Sequence, residues 1–444
     1  MRASTNILDN NHVKMIVEVD EVELASAIDE TVAQLAQSIT IKGFRKGKAP
    51  RQLIEARIGG AGALRAEAIN SSMGDFYARA VSDTLIDPIG QPAINVLSGE
   101  SEGPLEFEVE VEVRPEVDIV GHREIKVTIP SPLVGDDEIE QQITRLRETD
   151  SELRDVDRPI VTGDVLVVDI HGEDPSGNED PMDLSDYSYT VGSAAIAEGV
   201  DETIIGLRAG ETLQATGRKS EGVFINFTID IKQVRERILP DLTDEWVEEN
   251  TEYATVEALR EGILEQLRRR KLVEAQFARR DATLVALSDL VDAELAPEVL
   301  VTREIEQRLS DLSQRLEQQG LGFDYFLQLT NQNPEQLVEV LREDSMRAVR
   351  IDLALRALVR VEGLEPSDDE IEKELIDTAA AMRVGEAELR KNLRDNGRMP
   401  AFAAEVAKMK ASRWLLDNAT YVDANGAQIE RTLLETDQSD EVSA

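Results

Sequence analysis

The sequence predicts a multidomain α+β protein with an N-terminal α+β part, a strand-rich half-barrel in the middle and an all-helical last part. Three observations carry that reading. Apolar and polar residues alternate with period two over residues 13–19 and again over 105–114, on either side of segments with helical spacing. Two buried-strand runs, 163–170 and 224–231, bracket a short helical stretch, which suits a small half-barrel better than a βαβ unit. From Pro240 onward nearly every segment has apolar residues at helical spacing. A chain of 444 residues has room for about three domains, each with a core of its own.

Taken in order, residues 1–117 form the first domain. Its strand over 13–19 leads to Asp20 and Glu23, a capping box that opens a helix to about residue 39. Pro50 fits the first turn of a helix over 50–58, and Gly59, Gly60 and Gly62 separate it from another over 61–84. Residues 118–157 are a linker: 120–129 is strand-like, Pro130 and Pro132 break it, and 136–148 is a short amphipathic helix. The middle domain spans 158–240, with a polar loop at 171–181 and a turn at 206–210 between its long strands.

The helical domain is 241–428. Apolar spacing marks a helix over 255–292, and Pro297 starts another that Gly320 and Gly322 end. Asn333-Pro334 is an N-cap followed by proline at the first helical position, and Ser367-Asp-Asp-Glu370 is a capping box. The last helix covers 401–419. Residues 429–444 carry five acids against Arg431 and are expected to be a disordered acidic tail.

Composition excludes much. There is no cysteine, so disulfide frameworks and thiolate chemistry are out. The first ten residues lack the apolar core of a signal peptide, and no run approaches the ~20 apolar residues that span a bilayer. A soluble cytoplasmic protein is expected, with no membrane partner. The three histidines, His12, His122 and His171, lie in different segments without partners at metal-ligand or catalytic spacing, so structural roles are expected for them and no metal. No HExxH, phosphate loop or nucleophile elbow is present. Acidic pairs such as Asp136-Asp137 sit at helix starts, where the macrodipole accounts for them.

One stretch runs against the formal net charge of −41. Between residues 42 and 57 lie six basic side chains (Lys42, Arg45, Lys46, Lys48, Arg51, Arg57) and one acid, Glu55. So local an excess of positive charge is a docking point for something anionic, with Phe44 placed to enter a pocket or stack on a base. From charge alone a solvated basic loop is the stronger reading. The rest of the surface repels nucleic acid, so any RNA contact is local and DNA is not a partner.

The spelling Gly43-Phe44-Arg45-Lys46-Gly47-Lys48-Ala49-Pro50, early in a chain of this size, resembles the ribosome-docking loop of the bacterial trigger factor family. The resemblance continues through Gly90-Gln91-Pro92, the alternating 105–114 segment and Pro115-Glu116-Val117, then less densely almost to the C-terminus. It implies a ribosome-associated chaperone that works without ATP or any other cofactor. Gly43, Phe44, Arg45, Lys46, Gly47, Lys48 and Pro50 would dock on the large ribosomal subunit, protein and rRNA, near the tunnel exit. Nascent or unfolded polypeptides are the implied clients, and homodimerisation away from the ribosome is implied as well. Client contacts are expected at Phe323, Tyr325, Phe326, Met346 and Met382, because aromatic and methionine side chains adapt to varied partners. At helical spacing the same residues also suit a core.

The middle domain resembles the family's FKBP-type peptidyl-prolyl isomerase domain through Gly163-Asp164, Val168-Asp169-Ile170-His171-Gly172, Gly192 and Gly206-Leu-Arg-Ala-Gly-Glu211. Proline isomerisation needs no nucleophile or metal, only a pocket that eases rotation about a bond with a barrier of about 18–20 kcal/mol. The pocket reads as eroded. Where the family has Ile-Pro-Gly and an aromatic, this chain has Ala197-Glu198-Gly199-Val200, and the loop that carries a pocket tyrosine is reduced to 217–222. Asp169, Tyr187 and Tyr189 remain as candidate pocket residues, and weak or absent isomerase activity is expected. An active isomerase is the alternative function, and a plain helical interaction scaffold is a third.

Overall fold

The computed structural model describes residues 1–8, 11–41, 44–45, 47–175, 181–197, 199–218 and 224–435. The chain divides into two compact units, one built from residues 1–129 and 278–428, the other from 130–277 with the segment after 428.

The first unit begins with a four-stranded antiparallel sheet in the order β1-β2-β4-β3, built from β1 (Arg2–Ile7), β2 (His12–Val19), β3 (Ala93–Ser98) and β4 (Leu105–Glu112). Alternation decides which face is buried. Met15, Val17 and Val19 of β2 and Leu105, Phe107, Val109 and Val111 of β4 all point inward, with Val17 opposite Phe107. Helices α1 (Glu21–Ser38) and α3 (Ala61–Thr84) cover that face with Leu24, Ala27, Ile69, Phe76 and Ala80, while the short α2 (Arg51–Ile58) lies between them in the chain. Each large side chain buried here contributes roughly 1.5–3 kcal/mol. Asp20 caps α1 by accepting from the amides of Val22 and Glu23; the Glu23 side chain turns instead to the N-terminal amine at 2.6 Å and to Arg79 at 3.4 Å. β1 has no apolar alternation and is a strand only because it pairs along β2, from Arg2 opposite Glu18 to Ile7 opposite Val13.

The expected strand over 120–129 is corrected. Only β5 (Lys126–Thr128) is extended and paired, after a 3-10 turn at His122–Glu124. Its partner is far away in sequence, which is why periodicity overstates its length.

The second unit holds α4 (Asp136–Thr149) and a curled antiparallel half-barrel. The half-barrel comprises β6 (Glu152–Asp155), β7 (Val165–Glu173), β8 (Met182–Thr190), β9 (Thr212–Arg218) and β10 (Phe224–Ile238), with the helical turn α5 (Val200–Ile204). The order is β6-β10-β7-β8, with β9 also on β10. A register shift between Ile231 and Gln233 lets the long β10 bend, so that its two ends take different partners. Leu166, Val168, Ile170, Ile225, Phe227, Ile229 and Val200 fill the concave side. A separate helical core joins Ile139 and Ile143 of α4 to Trp246 and Val247 of α6 (Asp244–Asn250) and to Leu259, Ile263 and Leu267 of α7 (Val256–Ser288). Tyr253 lies so close over Gly262 that any side chain at 262 would collide with its ring.

The expected disorder of the tail is corrected for residues 429–435 only. A 3-10 turn forms at Arg431–Leu434, Ile429 and Leu434 are buried, and Gln276 donates to the Leu434 carbonyl at 3.0 Å. Two aliphatic side chains thus anchor a segment whose composition reads as polar; residues 436–444 lie outside the described residues.

The first unit is completed by α8 (Glu298–Gln318), α9 (Phe323–Leu329), α10 (Pro334–Glu362), α11 (Asp368–Met382), α12 (Glu386–Asp395), α13 (Met399–Asn418) and β11 (Thr420–Val422), which pairs in parallel with β5. Reciprocal capping boxes at Asn333/Gln336 and Ser367/Glu370 start α10 and α11 where the sequence places them. Asp352 of α10 ties the unit together. It accepts Arg114 at 2.8 Å, Arg356 at 3.0 Å and Lys408 at 2.5 Å, and these cations hold its carboxyl below the usual range against the effect of burial.

Candidate functional site

The basic loop is a turn hung between α1 and α2. The amide of Gly47 donates to Ala36 at 2.7 Å, folding the loop back on the last turn of α1. Gly47 has φ +81°, a conformation open to glycine and strained for other residues. Lys48 donates its amide to Arg45 at 3.0 Å and Phe44 to Ile41 at 3.2 Å. These bonds fix the backbone and leave the side chains outside: Phe44 is 42% exposed, and Arg45, Lys48 and Pro50 are exposed. Gly43 and Lys46 lie outside the described residues.

The cations of this region fall into two classes. Arg51 is engaged, bridging Asp29 of α1 and Glu55 of α2 at 2.7 Å each. Among the described residues Arg45, Lys48 and Arg57 make no ion pair, so their charge is available to an anionic partner. The residue count alone overstates the accessible positive charge, because one of the six basic residues is internally neutralised.

In the half-barrel a cavity of about 190 Å³ opens between Ile170, Met182, Leu184, Tyr187, Ile225 and Phe227. The three pocket candidates part company there. Tyr187 lines the cavity. Tyr189 is 1% exposed and belongs to the core, its hydroxyl donating to Asp201, which also accepts the amides of Gly192 at 2.7 Å and Ala194 at 2.9 Å. Burial, reinforced by that carboxylate, pushes the Tyr189 hydroxyl pKa up.

Asp169 alternates with Ile170 along β7. Its carboxylate is held by Lys232 at 2.7 Å and by the amide of Asp186 at 2.8 Å, which together draw its pKa down. It does not line the cavity. Ala197 and Val200 are buried in the core beside it, while Glu198 and residues 219–223 lie outside the described residues. The pocket reading omitted Met182 and Phe227; the period-two run Ile225, Phe227, Ile229 carries the signal for Phe227.

Of the client candidates, Tyr325 and Met382 are exposed, whereas Phe323, Phe326 and Met346 are half-buried in helix packing. Leu329 and Val340 are exposed as well and were not among the expected contacts. Among the described residues no group of His, Asp and Glu has metal-binding geometry, and no helix is long and apolar enough to cross a membrane. His171 sits between Asp183 and Glu173, and His122 between the Ile119 carbonyl and Glu362, so both are engaged in local bonding.

Comparison with known proteins bears on the chain as a whole. The family model described as bacterial trigger factor protein matches residues 1–146, and that for the bacterial trigger factor protein C-terminus matches 255–417. The chain is 30% identical to the trigger factor of Streptomyces coelicolor over 96% of this chain and 92% of that one. It is 31% identical to those of Thermobifida fusca (97% and 93%) and Anoxybacillus flavithermus (95% and 100%). A solved trigger factor chaperone structure is 23% identical over 94% of this chain and 99% of that one, with a TM-score of 0.40, too loose a superposition to add weight. With family models matched in both halves and relatives of about 30% identity along almost its whole length, this chain belongs to the bacterial trigger factor family.

Proposed function

We propose that this chain, a ribosome-associated chaperone, docks on the large ribosomal subunit near the tunnel exit through the loop at 43–50 and shields nascent chains without nucleotide. The observation that carries the reading is the sorting of charge at the loop: Arg45 and Lys48 are unpaired among the described residues beside exposed Phe44, while Arg51 is neutralised. An anionic RNA surface and an apolar niche on a ribosomal protein fit that combination. In this reading residues 1–117 dock, 118–157 link, 158–240 form a reduced FKBP-like domain, 241–428 hold clients and 429–444 end the chain. Its place of work is the cytoplasm, and a homodimer away from the ribosome is part of the proposal. Co-sedimentation with bacterial ribosomes tests it. Wild type should pellet and Phe44→Ala/Arg45→Ala/Lys46→Ala should stay in the supernatant; equal behaviour would remove the loop from the mechanism.

A second reading, an active prolyl isomerase, is favoured by the cavity walled by Tyr187 and Phe227. The small apolar Ala197 and Val200, both packed into the core, speak against it. We expect slow or undetectable isomerisation of a proline tetrapeptide. A rate comparable to an efficient FKBP would restore the enzyme reading.

A further inference from the structure

The chain spells Asn-Gly twice, at 396–397 and at 425–426. In this dipeptide the asparagine carboxamide faces a backbone amide that no side chain shields, because glycine carries none. Asn-Gly also suits tight turns, and both copies sit in one: Gly397 has φ +64° after α12 and Gly426 has φ +82° beyond β11. Turn chemistry therefore accounts for their presence but does not tell them apart.

The side-chain amides do. Asn396 caps α12, and its Nδ2 donates to the Asn392 carbonyl at 2.8 Å and lies 3.2 Å from the Asn392 Oδ1. Asn425 is exposed, and its carboxamide has no hydrogen-bond partner among the described residues. The two glycine amides are engaged alike: Gly397 donates to Arg394 at 3.0 Å and Gly426 to Asp423 at 2.9 Å. The difference lies in the carboxamide, which is pinned in one copy and loose in the other. Asp423 closes the second turn. Its Oδ1 accepts the amides of Asn425 and Ala427 at 2.9 Å each, and its own amide donates to the Ala427 carbonyl, next to the bridge of Val422 with Gln428.

We propose that Asn425 is a site of deamidation and that Asn396 is spared. The Gly426 nitrogen, its proton passed to solvent, bonds to Cγ of Asn425; the Cγ–Nδ2 bond breaks, and Nδ2 takes up a proton and leaves as ammonia. The cyclic imide that results takes up a water. Opening between the imide nitrogen and Cγ gives aspartate. Opening on the other side of that nitrogen gives isoaspartate, with the chain running through Cγ. Nothing is oxidised or reduced. Either product places a new negative charge beside Asp423, and isoaspartate also lengthens the backbone by a methylene, which displaces Gly426 from its bond to Asp423. Val422 sits at the base of this hairpin and accepts the Ile129 amide at 2.9 Å, so the modification loosens the end of the β5–β11 pair.

The test ages the full chain, native and in urea, at neutral and at mildly alkaline pH, and follows each Asn-Gly by peptide mass spectrometry. Isoaspartate is read by labelling with an isoaspartyl carboxyl methyltransferase. In the native protein Asn425 should exchange NH2 for OH about tenfold faster than Asn396, whose hydrogen bonds must first break. The rate should rise at alkaline pH, because the glycine amide has to lose its proton. In urea the two sites should converge. Asn425→Gln should abolish labelling at 425, and its urea midpoint should hold on ageing while that of wild type falls. Equal native rates at the two sites would overturn the proposal, as would a difference that persists in urea. So would a native Asn425 that stays intact while the unfolded chain deamidates.

Discussion

Arg51 reaches across the basic loop to Asp29, 2.7 Å away, while Glu55 closes on it from the next turn of its own helix. The nearest basic residue beyond the loop thus serves as a strap between α1 and α2. The strap is solvent-exposed and contributes little stability by itself. Its consequence is a division of labour that salt can measure.

Arg45→Ala should lower the slope of log K against log salt for ribosome binding by about 0.7–0.9, one released counterion. Arg51→Ala should leave that slope unchanged, because Arg51 already has carboxylate partners. Asp29→Ala/Glu55→Ala gives a sharper check. It removes both carboxylates that hold Arg51, so a slope that steepens by at least as much as Arg45→Ala flattens it would show that Arg51, once released, reaches the RNA. Should Arg51→Ala reduce the slope as Arg45→Ala does, the strap assignment is wrong.

Ser345 supplies the second prediction. It is fully buried on α10, in line with Leu337, Leu341, Val349 and Leu353 at four-residue spacing, and its hydroxyl has no hydrogen-bond partner among the described residues. A buried hydroxyl without a partner costs roughly 1–3 kcal/mol relative to one that is satisfied. Ser345→Ala removes it and leaves the small volume that close helix packing needs. We expect a gain of about 1 kcal/mol, read as a higher urea midpoint with Trp414 emission as the probe in a Trp246→Phe background. A destabilised variant would mean that the hydroxyl has a partner after all.

Ser345 also shows what the sequence could reveal. Helix limits were legible wherever a cap is local: Asn333/Gln336 and Ser367/Glu370 bond as their spacing dictates, because the partners are three residues apart. Strands were legible where one face is buried, as over Met15, Val17 and Val19. β1 and β11 were not, since each is defined by pairing with another segment and carries no periodic signature. The basic loop was legible as a string of residues, but its effective charge was not. The engagement of Arg51 depends on Asp29, 22 residues away. In the half-barrel, strand alternation separates Ile170 from Asp169, yet nothing local tells that Tyr189 turns into the core while Tyr187 meets the cavity.

His171 gives a prediction with a definite sign. Its Nδ1 lies 2.6 Å from Asp183 and its Nε2 3.1 Å from Glu173, and these two carboxylates, Asp183 first, raise its pKa above the ordinary 6.5. A raised folded-state value means that the stabilisation is fully present below pH 6.5 and is lost as pH rises through the folded value. The β7–β8 pairing should therefore be firmer on the acid side of neutrality. With only three histidines in the chain, an NMR titration resolves the matter directly. The His171 resonance should titrate above 6.5, and Asp183→Asn should bring it down. Titration at or below 6.5 in wild type would remove the clamp.

Glu362 predicts the opposite dependence. Arg123 holds its carboxylate through two contacts of 2.8 Å and His122 adds a third at 2.6 Å; these bonds, Arg123 first, lower its pKa to about 2. A depressed value contributes stability above the ordinary 4.5, lost only as pH falls from there toward 2. The reporter is at hand, because the His122 ring lies 6.1 Å from that of Trp414. In a Trp246→Phe background the wild-type Trp414 signal should hold through pH 4.5 and change only well below it. Glu362→Gln leaves Arg123 and His122 without their shared anion, so the signal should already differ at neutral pH and lose its acid step. A wild-type transition centred near 4.5 would mark Glu362 as an ordinary surface carboxylate and leave the turn at residues 122–124 held by its other contacts alone.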